Sequence, residues 1–451
     1  MESTLRQWLR ERVIAFVLFA VALLIVNWAA DVVQFPYDAG LYWDLSKPSL
    51  LGAFPNTYRG YFWPYLLMPM RALDHWTTSD AHWAWRVISS LAYSAVFTGP
   101  VAEFFRRCFG GRLSVARRIW PALFTLAIFP GLFLYPLSDL PAVLFLICAL
   151  RLLVDSRHGT RWMLACACSG GLVAAAYNTR TIYMLAFVLM LALVPLFFFR
   201  GRPMRIRAFA LLAFVVGAAI VSTPQAVINK RLHGVASPLV STGALGESLM
   251  TSQLYWGVVV QRYETSIRGD VPAASFYYSD PVGIAFNARN PDYLADQTIL
   301  RYAQEVLSHP LFFLGVYGRH LVNGIDVRDG MVYTYGLSRD KALWSLLCFT
   351  LFAFCTFVLC TRESRDWKEW GYLAPLLVVV AGILPGAIET RFFMPLYLIL
   401  FGAVATCLEW GHFRGQLRRH WPSIIVGYLV LACVSLAITS STMAELHFAF
   451  P

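Results

Sequence analysis

Six charged residues stand beside long apolar segments, where the chain is predicted to leave a membrane on one common face. They are Asp38, Asp44, Asp139, Arg180, Glu389 and Arg391. A charged group at the edge of a bilayer costs free energy unless it is paired, solvated or bound to a metal, so such residues are commonly functional. Carboxylates accept protons, and the forked donors of arginine bind phosphate. The set therefore predicts proton-transfer chemistry beside an anionic group.

Asp38 is the best candidate for a general base. In the segment YDAGLYWDLS, Tyr42 follows Asp38 by four residues, so the two share a face if the segment is helical. Asp44 lies six residues beyond Asp38 and points elsewhere. The alternative for Asp38 is a helix N-cap or a solvated loop aspartate.

The other charged positions each have a structural and a functional interpretation. Asp139, in PLSDLPAVLFL, either caps the helix that follows or belongs to a site. Arg180, in NTRTIYMLAF, and Arg391, in AIETRFFMPLYLILF, either extend to lipid headgroups or capture a lipid-linked phosphate. Glu389 is the local partner for Arg391. His320 is either a structural residue of an interfacial helix or an imidazole that contacts substrate.

The elements that position these residues are predicted to be transmembrane helices. The chain has 451 residues, of which 58% are hydrophobic and 14% charged, against roughly 25% charged residues in soluble domains. Apolar stretches of about 17 to 20 residues recur throughout, and such stretches must be helical in hydrocarbon. The predicted fold class is an all-α polytopic membrane protein with about eleven transmembrane helices.

The charge pattern predicts the topology. The net charge of +11 comes from arginine clusters beside apolar runs, which indicates cytoplasmic loops and not nucleic-acid binding. This places the N-terminus in the cytoplasm and the C-terminus on the outer face. The predicted modules are residues 1–228, with helices 1 to 7 and a first outer loop at 31–81, then a long outer loop at 229–341, and helices 8 to 11 at 342–451.

Some predicted features are local. The third transmembrane helix is expected to run from about Ile119 to Tyr135, and Gln297 to Leu307 has helical periodicity. Two apolar, aromatic segments, NTYRGYFWPYLLMPMRAL and HPLFFLGVYGRHLVNGIDV, are predicted to be interfacial helices. The nine cysteines indicate no disulfide framework, and no P-loop, HExxH or nucleophile-elbow motif appears.

The order of these motifs resembles the GT-C superfamily of integral-membrane glycosyltransferases, in particular its aminoarabinose transferase and protein O-mannosyltransferase branch. The resemblance lies in Asp38 with Tyr42 after helix 1, Asp139 in SDLP, Arg180 after helix 5, and ETR before the apolar run FFMPLYLIL. The chain departs from that branch in the first loop, where an acidic pair is common and Asp38 is followed by Ala39.

The resemblance implies transfer of a sugar from a polyprenyl-phosphate donor to an acceptor hydroxyl on a glycan, lipid or protein. The reaction would be a single inverting displacement on the outer face of a bacterial inner membrane. Asp38 would be the general base, and Arg180 and Arg391 would bind the phosphate. Asp139 would orient the Asp38 loop or help to hold a divalent cation. The residues left to bind substrate are Tyr42 and Arg59, which would line the sugar pocket, and Asp44, Glu389 and His320.

The sequence is also compatible with two other functions. A transporter or flippase of lipid-linked sugars would place charged residues or broken helices at the membrane midplane, whereas the charges here gather at helix ends. A ligase or polymerase of lipid-linked glycans would also use a long outer loop and outer arginines. It would have no particular need for an aspartate directly after helix 1.

Overall fold

The computed structural model describes residues 2–76, 82–156, 161–241, 248–265, 275–295, 297–328, 342–362, 366–447 and 450. The described chain is mainly α-helical, as the sequence predicts. Parts of the predicted outer loops at 31–81 and 229–341 lie outside the described residues. The helices are α1 (Glu2–Ala30), α2 (Tyr37–Leu45), α3 (Phe62–Trp76), α4 (Trp83–Val96), α5 (Ala102–Phe109), α6 (Val115–Ile128), α7 (Gly131–Leu134), α8 (Asp139–Ser156), α9 (Trp162–Thr179), α10 (Met184–Leu193), α11 (Met204–His233), α12 (Leu249–Val259), α13 (Pro281–Arg289), α14 (Pro291–Ala295), α15 (Ile299–Ser308), α16 (Pro310–Ile325), α17 (Ala342–Thr361), α18 (Lys368–Ile383), α19 (Met394–Cys407) and α20 (Trp410–Ala444).

Seven helical segments of the described chain are long and apolar enough to cross a membrane. They are Gln7–Ala30, Trp83–Phe109, Thr181–Phe198, Met204–His233, Ala342–Thr361, Thr390–Cys407 and Trp410–Ala444. The polytopic membrane architecture is therefore confirmed. The four other predicted spans coincide with α6, α8, α9 and α18, which are 14 to 18 residues long. The count of eleven stays a prediction.

The expectation of one helix from Ile119 to Tyr135 is wrong. Helix α6 ends at Ile128, and a single turn, α7, follows after Pro130. Proline has no backbone N–H to continue the helical hydrogen-bond ladder, which accounts for the break. The indole of Trp85 donates to the carbonyl of Leu134 at 2.9 Å. This contact satisfies a carbonyl that the broken helix leaves without a helical partner.

The chain divides into two compact units, and both are discontinuous in sequence. The first comprises residues 1–244, 364–379 and 401–407, and the second comprises 245–363, 380–400 and 408–451. The two units are defined by compactness, whereas the three predicted modules are defined by membrane topology, so their boundaries differ. Those modules stay a prediction about topology.

Close helix packing organises the first unit. Gly170 of α9 and Gly217 of α11 each lie where an added Cβ would meet the backbone of the other helix at 1.8 Å. Glycine at both positions therefore lets the two backbones approach closely. Helix α8 packs beside α9 and is largely buried. This packing fixes the position of the first residue of α8 relative to the last residues of α9.

The second unit contains a small antiparallel sheet that an all-helical prediction does not include. Its strands are β1 (Val260–Thr265), β2 (Ser275–Ser279) and β3 (Leu446–His447), in the order β1-β2-β3. The predicted helical periodicity of Gln297 to Leu307 is confirmed by α15. A helix, α16, also occupies most of the second predicted interfacial segment, as α3 does for the first.

Candidate functional site

Asp38 and Arg59 form the first part of the candidate site. Pro36 precedes α2, and Asp38 lies in the first turn of that helix, where the positive end of the helix dipole stabilises a carboxylate. An amino group of the Arg59 guanidinium lies 2.5 Å from Asp38 Oδ1. The Asp38 side chain is 26% exposed and the Arg59 side chain 18% exposed. The pair is therefore formed yet still open to a molecule at the surface.

Two tyrosine rings hold the Arg59 guanidinium. Its central carbon lies 4.6 Å from the ring centre of Tyr58 and 5.3 Å from that of Tyr42. Cation–π contacts of this kind restrict the guanidinium without neutralising its charge. The prediction that Tyr42 shares a face with Asp38 is consistent with this geometry, since both side chains contact Arg59.

Tyr42 connects this pair to a second carboxylate. Its buried hydroxyl donates a hydrogen bond to Ser138 Oγ at 2.9 Å. The next residue, Asp139, begins α8 and is paired with Arg180 at 2.6 Å. Asp139 is 4% exposed and Arg180 17% exposed. Tyr42 thus connects the two carboxylate–guanidinium pairs, through its contact with Arg59 and its hydrogen bond to the residue before Asp139.

A row of side-chain amides fixes the elements that carry the two arginines. Asn178, in the last turn of α9, accepts a hydrogen bond from the backbone N–H of Phe62 at 2.7 Å and donates to Gln225 at 3.1 Å. Gln225 donates in turn to Asn229, one turn further along α11, at 3.1 Å. Buried polar networks that are well satisfied hold their elements rigidly. This network ties the start of α3, next to Arg59, to the end of α9, next to Arg180.

Asp44 lies apart from the pairs, as the six-residue spacing predicts. Its side chain is 65% exposed and contacts Lys47 at 3.3 Å and Arg71 at 3.6 Å. Exposed ion pairs of this kind contribute little free energy. In the part of the chain that the structure describes, Asp44 contacts neither Asp38 nor Asp139.

Glu389 and Arg391 belong to the second unit, where they pair with each other as predicted. Two nitrogen atoms of Arg391 lie 2.7 Å from Glu389 Oε2, and both side chains are at most 6% exposed. Thr390 between them donates through its N–H and its hydroxyl to Glu264, at 3.2 and 2.9 Å. This arrangement encloses the Arg391 guanidinium more completely than the first unit encloses Arg180.

His320 also belongs to the second unit and is fully buried in α16. Its Nδ1–H donates to the carbonyl of Leu384 at 2.7 Å. Burial lowers the pKa of His320 below its ordinary value of 6.5, because removal from water disfavours the imidazolium form. The geometry favours the structural interpretation of this histidine over substrate contact.

The donor set around Asp139 does not fit a divalent cation. Among the described residues, no three His, Cys, Asp or Glu side chains are grouped so that they could hold a metal ion. The described partner of Asp139 is a guanidinium, whereas hard cations require several oxygen ligands. Asp139 is therefore better placed to position Arg180 than to bind a metal.

The sequence patterns did not predict several residues of this arrangement. Ser138 and Tyr58 are neighbours of predicted residues, and the aromatic residues on both sides of Arg59 in TYRGYFW were the available signal. Gln225 and Asn229 stand four residues apart in the mainly apolar helix α11, a spacing typical of side chains that interact. Their partner Asn178 lies on another helix, which no local pattern could reveal.

Comparison with solved structures finds one that is similar to this chain. No family model matches the sequence, and no curated protein matches it either. A structure described as the Archaeoglobus fulgidus oligosaccharyltransferase in complex with zinc and sulfate is similar, with a TM-score of 0.45 and 16% sequence identity. The similarity covers 96% of this chain and 52% of that chain, so this chain spans about half of the other's length.

Proposed function

We propose that this protein is a membrane glycosyltransferase that moves a sugar from a polyprenyl-phosphate-linked donor to an acceptor hydroxyl. The observation that carries the proposal is the pair of carboxylate–guanidinium contacts, Asp38 with Arg59 and Asp139 with Arg180, joined by Tyr42. Such a site offers a proton acceptor and a cation for phosphate side by side. Those are the two groups that an inverting transfer from a lipid phosphate needs.

The reaction has one displacement step. The acceptor oxygen attacks the anomeric carbon, and the bond between that carbon and the phosphate oxygen breaks, leaving its electron pair on the polyprenyl phosphate. Asp38 takes the proton from the acceptor hydroxyl as the new bond forms. Arg59, which contacts two tyrosine rings, holds the Asp38 carboxylate in position until the hydroxyl arrives.

Arg180 is the proposed phosphate ligand. Its guanidinium is partly exposed, whereas Arg391 is almost completely enclosed with Glu389. The fork of an arginine can donate to two phosphate oxygens as negative charge develops on the leaving group. Asp139 holds Arg180 in place before the donor binds. Arg391 then serves the internal structure of the second unit.

The cellular setting follows from the predicted topology. The Asp38 and Arg180 segments are predicted on the outer face, so the donor would enter from the outer leaflet of a plasma-membrane-type bilayer, with a bacterial inner membrane as the proposed location. The acceptor is a hydroxyl on a glycan, lipid or protein that reaches that face.

The test is sugar transfer by purified protein with Asp38→Asn and Asp44→Asn as matched variants. Each replacement removes one carboxylate from α2, but Asp44 is exposed and lies outside the site. Labelled hexoses and pentoses on polyprenyl phosphate would be supplied together with acceptors from membrane extracts. We expect transfer by the wild type and by Asp44→Asn, and a loss of about a hundredfold or more in Asp38→Asn, in line with general-base catalysis.

Other outcomes separate the rival functions. Equal transfer by wild type and Asp38→Asn would leave a glycosyltransferase with a different base. Transfer only from polyprenyl-diphosphate-linked glycans would identify a ligase or polymerase. Movement of the intact donor across vesicles without cleavage of the sugar–phosphate bond would identify a flippase.

A further inference from the structure

A second charged cluster of the first unit lies at the opposite end of α8 from the candidate site. Asp139 begins α8, and Arg151 follows it by twelve residues, about 18 Å along the helix axis at 1.5 Å per residue. Arg151 lies within electrostatic range of Arg12, Arg106 and Arg107. This cluster takes no part in the proposed transfer reaction.

Arginines outnumber carboxylates in this cluster. Glu103 contacts Arg106 at 2.7 Å and Arg118 at 3.0 Å. Asp155 contacts Arg107 at 3.2 Å and also pairs with Arg151. Arg12 is the fifth guanidinium group, within electrostatic range of Arg151. Five guanidinium groups and two carboxylates give the cluster a formal excess of three positive charges. Like charges held together in a partly buried place repel one another unless an anion joins them.

Arg118 gives the cluster a buried donor. Its side chain is 1% exposed, and its Nε is buried with no hydrogen-bond acceptor in the described part of the chain. It stands in the first turn of α6, which begins after the N-cap Ser114. Cations are unfavourable at a helix N-terminus, where backbone N–H groups favour anions. The position of Arg118 therefore adds to the positive potential that the helix itself creates.

Arg12 reaches the cluster through a space that a glycine leaves open. Its guanidinium lies where a side chain at Gly99 would stand, 2.6 Å from an added Cβ. Arg12 and Arg118 both lie 5.6 Å from the indole centre of Trp8. Gly99 itself belongs to a π-helical turn, Phe97–Val101, and such turns are frequent at functional sites.

We propose that this cluster, defined as Arg12, Arg106, Arg107, Arg118 and Arg151 around Glu103 and Asp155, binds a phosphate group, the chemistry shared by an anionic lipid headgroup and free phosphate. The arginine fork suits phosphate oxygens, and each charge-assisted contact adds to affinity. The site lies where the arginine-rich helix ends meet the membrane surface that the sequence predicts to be cytoplasmic. It is independent of the proposed transfer reaction.

The experiment measures binding of radiolabelled phosphatidylglycerol to the full-length protein in dodecylmaltoside micelles. One variant is the double replacement Arg12→Gln with Arg151→Gln. Its control is Arg418→Gln with Arg419→Gln, which removes the same two charges from an exposed stretch of α20. We expect the Kd to rise about tenfold in the first variant, in line with charge-assisted hydrogen bonds, and to stay unchanged in the control.

A second variant changes no charge. Gly99→Ala places a methyl group against the Arg12 guanidinium, so the flexible side chain must move, and we expect weaker phosphatidylglycerol binding. Gly427→Ala, with nothing within 4 Å of the added Cβ, is the control. Far-UV circular dichroism and size-exclusion chromatography would verify that all variants fold.

The competition arms identify the source of the phosphate. Displacement of the lipid by millimolar inorganic phosphate would indicate a site filled from solution, and no displacement would indicate a headgroup site. Three results would overturn the proposal: equal weakening in the arginine variant and its control, unchanged binding in the arginine variant, or equal affinity of the wild type for phosphatidylglycerol and phosphatidylcholine.

Discussion

The contact between Asp139 and Arg180 provides the sharpest test of the candidate site as a physical unit. A terminal guanidinium nitrogen of Arg180 lies 2.6 Å from Asp139 Oδ1, and the Asp139 side chain is 4% exposed. Removing one partner of a buried pair leaves the other charge uncompensated and costs about 3–5 kcal/mol. Arg180 is 17% exposed and can recruit some water. We therefore expect Asp139→Asn to lower the free energy of unfolding by about 2–3 kcal/mol.

A double-mutant cycle isolates the contact. Asp139→Asn, Arg180→Gln and the double variant would be unfolded reversibly in mixed micelles, with far-UV circular dichroism as the readout. Because the second replacement removes a charge that has already lost this contact, the double variant should lose less stability than the sum of the two single losses. We expect a coupling free energy of about 2 kcal/mol.

The control cycle uses Asp44→Asn and Lys47→Gln. That pair is longer, at 3.3 Å, and its side chains are 65% and 50% exposed, so its coupling should stay below about 1 kcal/mol. Additive losses in the Asp139 and Arg180 cycle, or couplings of equal size in both cycles, would refute the reasoning that burial makes this contact strong.

Three further outcomes follow from local geometry and can be measured on the same preparations. Gly60→Ala should lower the free energy of unfolding by about 1–3 kcal/mol, because its Cβ would lie 2.0 Å from a backbone oxygen of α9, while Gly52→Ala, with nothing within 4 Å, should change little. The free energy of unfolding of the wild type should fall as the pH drops below about 6.5, and His320→Gln should abolish that fall. Below that pH the unfolded chain takes up a proton on His320 that the buried imidazole does not bind. The free energy of unfolding therefore falls by up to about 1.4 kcal/mol per pH unit. Arg391→Lys should destabilise the second unit despite keeping the charge, since a lysine lacks the fork that contacts one carboxylate twice; equal urea midpoints for Arg391→Lys and wild type would contradict this.

Much of the fold could be predicted because lipid leaves the backbone few choices. Helical segments lie at all eleven predicted positions, although the third is broken into α6 and α7, since an apolar stretch in hydrocarbon must satisfy its own hydrogen bonds. The prediction failed where a local residue overrides composition, as Pro130 does between α6 and α7. It also omitted the sheet formed by β1, β2 and β3. Its strands β2 and β3 are separated by more than 160 residues, and no local periodicity records such a pairing.

For the candidate site, too, the sequence determined some features and the tertiary structure decided others. The sequence by itself determined which residue types stand at helix ends, and it identified Asp38, Asp139 and Arg180 because charge beside a long apolar run is costly and local. Only the tertiary structure decided the partners: Arg59 for Asp38 and Arg180 for Asp139, with Tyr42 between the two pairs. Those contacts join residues 21 to 96 positions apart, and their formation depends on how α8, α9 and α11 pack. Packing is a property of whole surfaces, so it could not be derived from the spacing of single residues.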